Sequence, residues 1–146
     1  DIVDFENFSL SPHFLENTNK IHFSQGDLTN LKAIHKGYDV VIVQHALEKS
    51  YDPSLLLTTI NERLNSHGLL VVVADYNFDE NITDKSKWLG GQKINGENVT
   101  GFEAINSLLA EQFVLRENQE IVQVLKNNAR SYGVSQSQLT VWQRKT

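Results

Sequence analysis

The sequence predicts an α/β fold, with a mostly parallel sheet that ends in an antiparallel strand pair. Three observations predict it. "VVIV" (Val40 to Val43) and "LLVVV" (Leu69 to Val73) are apolar, strand-sized runs. Such runs suit strands covered on both faces, as in a parallel sheet. Between them lies "YDPSLLLTTINERLNSHG", which carries helix signals and short connections, so strand, helix and strand make a βαβ unit with a right-handed crossover. The closing segment "SQLTVWQR" alternates Leu139 and Val141 against Thr140 and Trp142, the two-residue period of a strand.

Each remaining element has its own signal. Residues 1 to 19 are mixed, and Pro12 breaks any long element. Residues 20 to 24, with Ile21 and Phe23 around His22, read as a strand. Residues 28 to 36 read as a short helix or an irregular turn. Asp52 is a good N-cap and Pro53 a good first helical residue. Leu56, Ile60 and Leu64 follow at helical spacing, and Gly68 suits a left-handed helix end. Residues 76 to 99 form a long polar segment, and a loop of that length in a compact domain is usually functional or disordered. Thr100 and Glu103 fit a capping box, with Phe102, Ile105, Leu109 and Phe113 on one apolar face behind it. "FVLREN" reads as a strand. "IVQVLKNNARSYGV" stays ambiguous, with Val122, Leu125, Ala129 and Tyr132 at loosely helical spacing. No repeat or low-complexity tract divides the chain, so residues 1–146 read as a single domain.

Bulk composition narrows the function. The chain has 146 residues, 40% hydrophobic and 21% charged, as a globular protein does. No run approaches the roughly 18 apolar residues of a membrane span. The net charge is −5 and the basic residues are scattered, whereas phosphate binding needs them clustered. Nucleic acid and membrane are therefore not expected partners. Cysteine is absent, which excludes disulfides, thiolate chemistry and cysteine-based zinc sites and is compatible with a cytoplasmic protein. The histidines are dispersed without ligand spacing, so no metal is expected. There is no Met, and the start "DIVDFENFSL" reads as the middle of a longer protein.

In open α/β sheets, ligands sit beyond the carboxyl ends of the strands. Three such ends are visible: Gly26-Asp27, Gln44-His45-Ala46 and Ala74-Asp75-Tyr76. Parallel strands would gather all three on one rim. An Asp there can accept a hydrogen bond from an exocyclic amine such as that of adenine, and a Gly lets the backbone approach a flat ring.

"FSQGDLTNLK", "YDVVIVQHALEKSYDP", "HGLLVVVADY", "KWLGG" and "GVSQSQLTVWQR" together resemble the C-terminal methyltransferase domain of the ovothiol biosynthesis enzyme. The resemblance covers roughly residues 1 to 144, with "KWLGG" and the "VSQ…TVW" tail as its more specific features. It implies a partial Rossmann-like class I methyltransferase fold that lacks its first strands. It implies S-adenosylmethionine as cofactor and N-methylation of the imidazole of 5-thiohistidine, a small-molecule substrate. By the same resemblance Gly26, Asp27, Leu28, Gln44 and His45 belong to the cofactor side, Asp27 meeting the adenine amine and Leu28 the ring. His45 and Tyr76 are the catalytic candidates, and Tyr76, Lys87, Trp88, Gly90 and Gly91 the substrate-side ones. The pattern departs from the family in one respect. The family's Gly-x-Gly-x-Gly loop and its ribose-binding acid are both missing, so this chain alone is expected to carry about half a cofactor site and to be inactive. Without the first strands, Val40 to Val43 would form an exposed apolar edge that invites a homodimer.

Plainer roles stand beside these. Asp27 also suits a strand-end turn, His45 a cleft-lining imidazole, and Trp88 an anchor for the long loop. Asp52 reads as a helix cap, Glu48 and Lys49 as solvated, Arg130 and Tyr132 as surface or packing residues, and Trp142 as core. Two other functions fit the pattern, a non-catalytic Rossmann-like assembly module and a nucleotide-binding oxidoreductase domain. Upstream sequence would separate them: a Gly-x-Gly-x-Gly loop after a strand, then a strand-end acid, favours the methyltransferase.

Overall fold

The computed structural model describes residue 9 and residues 11–146. Its elements are α1 (Pro12–Leu15), β1 (Tyr38–Gln44), α2 (Pro53–Ile60), β2 (Leu64–Ala74), β3 (Gln92–Ile94), β4 (Glu97–Val99), α3 (Gly101–Leu109), β5 (Phe113–Asn128) and β6 (Ser131–Arg144). The main sheet runs in the order β1-β2-β6-β5, and β3 and β4 form a separate hairpin. β1 and β2 are parallel, while β6 runs antiparallel to both β2 and β5. The βαβ unit and the closing antiparallel pair are thus present as expected.

Local chemistry explains where the helices begin. Asp52 Oδ1 accepts the Leu55 backbone N–H at 2.9 Å, and Pro53 starts α2. Thr100 and Glu103 form the reciprocal capping box ahead of α3. Each cap satisfies donors that a helix start leaves without partners.

One core holds the domain together. In β2 the buried set Leu70, Val72 and Ala74 points to one face. α2 covers it with Leu56, Leu57 and Ile60, and α3 with Ile105 and Leu109; Phe113 and Trp142 complete the cluster.

Three expectations need correction. Residues 20–24 form no strand: Thr18–Lys20 is a 3₁₀ turn, and Phe23 is 96% exposed. Alternation says which side chains would share a face, but a strand also needs a neighbour to pair with, and among the described residues none pairs here. α2 ends at Ile60, followed by a 3₁₀ turn over Asn61–Arg63, and Leu64 already opens β2. The Thr58 and Thr59 hydroxyls bond back to carbonyls one turn earlier, a habit that weakens helix continuation. Gly68 caps nothing. It lies inside β2, where an added Cβ would come 2.9 Å from the Asn65 carbonyl oxygen.

Residues 121–134, ambiguous in the sequence, are extended and form the far half of the β5–β6 hairpin. The third correction concerns burial of the parallel strands. Val40 is 49% and Ile42 65% exposed, so among the described residues β1 is an edge strand with one face open.

Candidate functional site

The carboxyl ends of β1 and β2 meet as the parallel pairing requires. His45 continues the ladder one residue past β1 by donating its backbone N–H to the Val73 carbonyl at 2.8 Å. It then leaves the sheet with φ 47°, and Tyr76 leaves β2 with φ 57°. Two non-glycine residues in the left-handed region, side by side at strand ends, mark stored backbone strain of the kind that gathers at functional sites.

Glu48 joins these two ends. It follows Leu47, which is fully buried and pins the turn after β1 to the core. Glu48 itself is only 3% exposed, so the expectation of a solvated side chain is wrong. Its Oε1 accepts the backbone N–H groups of Asp75 at 2.8 Å and Tyr76 at 3.0 Å. Those donors have left the ladder and need an acceptor. Glu48 Oε2 and His45 Nε2 are both buried without a hydrogen-bond partner. His45, Glu48 and Asp75 bring one nitrogen or oxygen atom each within 4.8 Å of one another.

Tyr76 borders a cavity of about 470 Å³, which is also lined by Asp75, Gly101, Phe102, Glu120 and Gln138. Its hydroxyl donates to Gln138 Oε1 at 2.7 Å. Burial raises its phenol pKa far above the ordinary tyrosine value, and the charges of Glu48 and Glu120 push the same way. The side chain is therefore a neutral hydrogen-bond donor, unsuited to act as a base.

Asp27 sits elsewhere, in the turn segment that precedes β1. Its Oδ1 accepts from both the Thr29 backbone N–H at 2.9 Å and the Thr29 hydroxyl at 2.7 Å. These bonds hold its carboxyl below the usual aspartate range. The Thr29 and Tyr51 hydroxyls are hydrogen-bonded at 2.6 Å, which ties Asp27 to the start of α2. The structure thus brings His45 and Tyr76 together through Glu48, while Asp27 is tethered beside Tyr51. Leu28 is 41% exposed, Gln44 is exposed at the end of β1, and a Cβ on Gly26 would meet only ordinary contact with Leu31.

None of Lys87, Trp88, Gly90 and Gly91 lines the cavity beside Tyr76. Lys87 Nζ pairs with Asp52 at 3.0 Å. Trp88 donates its indole N–H to the Thr83 carbonyl at 2.9 Å and stacks on Phe78. The buried Thr83 hydroxyl donates in turn to the Ser50 carbonyl at 2.6 Å. These contacts pin the long segment to the turn before α2, which accounts for Trp88 as an anchor. Gly90 and Gly91 have φ of 85° and 69° and shape the entry to the β3–β4 hairpin. A larger hollow of about 600 Å³ lies between that hairpin and α3, lined by Leu89, Ile94, Val99, Ala104 and Leu108 among others. The smaller cavity is the better candidate site because it opens at the strand ends and carries titratable groups.

Sequence reasoning missed Glu48, Gly101, Glu120 and Gln138. Glu48 carries no periodic signal, because a three-residue turn is too short to show one. Gln138 was legible only as a strand residue.

No family model matches the chain, and no sequence relative is found among curated proteins. Solved structures do resemble it. The N-methyltransferase NodS from Bradyrhizobium japonicum, in complex with S-adenosyl-L-homocysteine, superposes with a TM-score of 0.55 at 14% identity, over 90% of this chain and 59% of NodS. A SAM-dependent methyltransferase from Methanosarcina mazei gives 0.54 at 17% identity, over 82% of this chain and 65% of the other. TehB from Haemophilus influenzae gives 0.55 at 11% identity, over 92% and 45%. The chain spans 59% of the length of NodS and 65% of the M. mazei protein. The likeness establishes the fold as Rossmann-like, of the class I methyltransferase type.

Proposed function

We propose that the chain is part of an S-adenosylmethionine-dependent methyltransferase whose acceptor is the imidazole of 5-thiohistidine, a reading that extends to the substrate named by the sequence resemblance. The observation that carries the cofactor reading is the sheet order β1-β2-β6-β5, with the ends of β1 and β2 joined by Glu48, in a fold shared with a protein solved in complex with S-adenosyl-L-homocysteine. S-adenosylmethionine would supply an activated methyl group on a sulfonium sulfur. Asp27 keeps Oδ2 for an adenine amine while Oδ1 holds Thr29. Gln44 and His45 sit where a ligand beyond β1 would pass. Tyr76 would meet the acceptor as a neutral donor. Methyl transfer to an imidazole nitrogen needs that nitrogen's lone pair, so alignment and exclusion of water supply much of the rate.

Titration calorimetry with S-adenosylhomocysteine tests the reading on this chain and on its longer parent. The parent is expected to bind and to methylate 5-thiohistidine. The chain alone is expected to bind more weakly and to be inactive, since its 146 residues contain no Gly-x-Gly-x-Gly loop. Absence of binding to both proteins refutes the enzyme reading.

The chain is also proposed to dimerise through β1. Val40 and Ile42 support this, being largely exposed on an edge strand. Sedimentation equilibrium of the chain is expected to show a dimer that Ile42→Lys converts to monomer. A wild-type monomer at high concentration contradicts it.

No helix among the described residues is long and apolar enough to cross a membrane.

A further inference from the structure

The cluster at the strand ends has a property that methyl transfer does not use. Glu48 is almost fully buried and keeps one carboxylate oxygen without a partner. A buried carboxylate in that state is costly unless a cation offsets it. Among the described residues no basic side chain forms an ion pair with it. The ion pairs among the described residues are Lys85–Glu80 and Lys87–Asp52, and neither includes Glu48. A second orphan in the same cluster is His45 Nε2. Hydrogen-bond donation by that nitrogen would satisfy Glu48, but the two atoms are not within hydrogen-bonding distance. Asp75 completes the group, with its Oδ1 held by the Asn77 backbone N–H at 2.9 Å.

We infer that His45, Glu48 and Asp75 form a binding site for a divalent transition-metal ion. Three features support it. The donor set is one imidazole nitrogen and two carboxylate oxygens, which suits borderline ions such as Mn²⁺, Fe²⁺ and Zn²⁺ and lacks the sulfur that would select softer ones. The spacing fits: two donors on one such ion lie up to roughly 4.3 Å apart, and the observed spread of at most 4.8 Å closes with small side-chain rotations. The scaffold is fixed before any ion arrives. Glu48 Oε1 is held by two backbone N–H groups and Asp75 by a third, so only the unpartnered atoms remain to turn toward a metal. Supporting contacts of this kind orient metal ligands. The dispersed histidines of the sequence suggest no metal because only one of them takes part, and its two companions are carboxylates. This inference stands on side-chain geometry alone and is independent of the methyl-donor reading.

The test uses the whole chain, stripped with EDTA and dialysed, then titrated with MnCl₂ and separately with ZnCl₂ by calorimetry, with melting temperature followed in parallel. One-to-one binding of at least one ion is expected, with a rise in melting temperature. His45→Gln, Glu48→Gln and Asp75→Asn are each expected to weaken it at least tenfold. Glu48→Gln keeps an oxygen for the Asp75 and Tyr76 N–H groups, so without metal it should melt at or above wild type. His67→Ala, at an exposed histidine in β2, serves as the control for adventitious surface binding and should leave affinity unchanged. Absence of one-to-one binding by both ions overturns the inference. So does binding that survives all three site variants, or that His67→Ala abolishes. If one variant fails to fold, the other two decide.

Discussion

Trp142→Ala is expected to lower stability by about 3–5 kcal/mol, as large-to-small changes at buried aromatics do. Trp142 is 1% exposed, and its register places it opposite Leu70 of β2 on one side and Leu115 of β5 on the other. Its ring stacks on Phe102 of α3, with centroids 6.3 Å apart. The residue therefore ties the centre of the sheet to the helical layer, and truncation leaves a cavity that three elements would have to collapse into. A second cost adds to the first. The indole N–H donates at 2.8 Å to the hydroxyl of Thr140, itself 1% exposed, so that hydroxyl loses its donor. Trp142→Phe keeps a stacking ring but not the donor, and about 1–3 kcal/mol is expected for the orphaned polar group and the smaller ring together. Urea unfolding followed by circular dichroism measures both. A loss below about 1 kcal/mol for the alanine variant is incompatible with a central β6.

How far this organisation could be read from the sequence depends on which residues carry a local signal. Val40 to Val43 and Leu69 to Val73 do, because β-branched runs have one comfortable backbone state. Asp52, Pro53, Thr100 and Glu103 do, because a cap is satisfied within three residues of itself. Trp142 does, since an indole on an alternating strand has few places to go but the core. The Ile21–Phe23 alternation misleads because pairing depends on a partner that the segment itself cannot specify. The end of α2 at Ile60 is hidden because Leu64 continues the helical apolar spacing while serving the strand that follows. Val122 to Tyr132 looks weakly helical because the far half of the β5–β6 hairpin is exposed on both faces and so carries no clean two-residue period; Val122, Val124 and Val134 are all more than 60% exposed. The site is the least legible part. His45 and Tyr76 follow from the rule that ligands meet strand ends, but the residue that joins them, Glu48, acts through a turn whose direction only the buried Leu47 decides.

Gly101→Ala is expected to disturb the site more than its chemistry implies. By helix propensity alone the change is favourable, by up to about 1 kcal/mol, since Ala is the best helix former. Sterics reverse the sign. A Cβ on Gly101 would come 2.2 Å from Tyr76 Cδ1 and 2.5 Å from Cγ and Cε1. Gly101 has no room to retreat: from its other side Gly90 presses so closely that a Cβ there would sit 2.3 Å from the Gly101 backbone nitrogen. The Tyr76 ring must therefore swing away, and it is held by its hydroxyl bond to Gln138 and by Glu48 at its backbone N–H. Overpacking of this sort costs about 1–3 kcal/mol, so a net loss of about 1–2 kcal/mol remains after the propensity gain. Tyr76→Ala removes the ring that Gly101 protects. In the double variant Gly101→Ala with Tyr76→Ala the clash vanishes and the propensity gain returns. The cycle should then show a favourable coupling of about 1–3 kcal/mol between the two positions, of the size expected for residues in contact. Additive effects in urea unfolding would mean that the Tyr76 ring does not pack on the first turn of α3, and the cavity beside it would lose one of its walls.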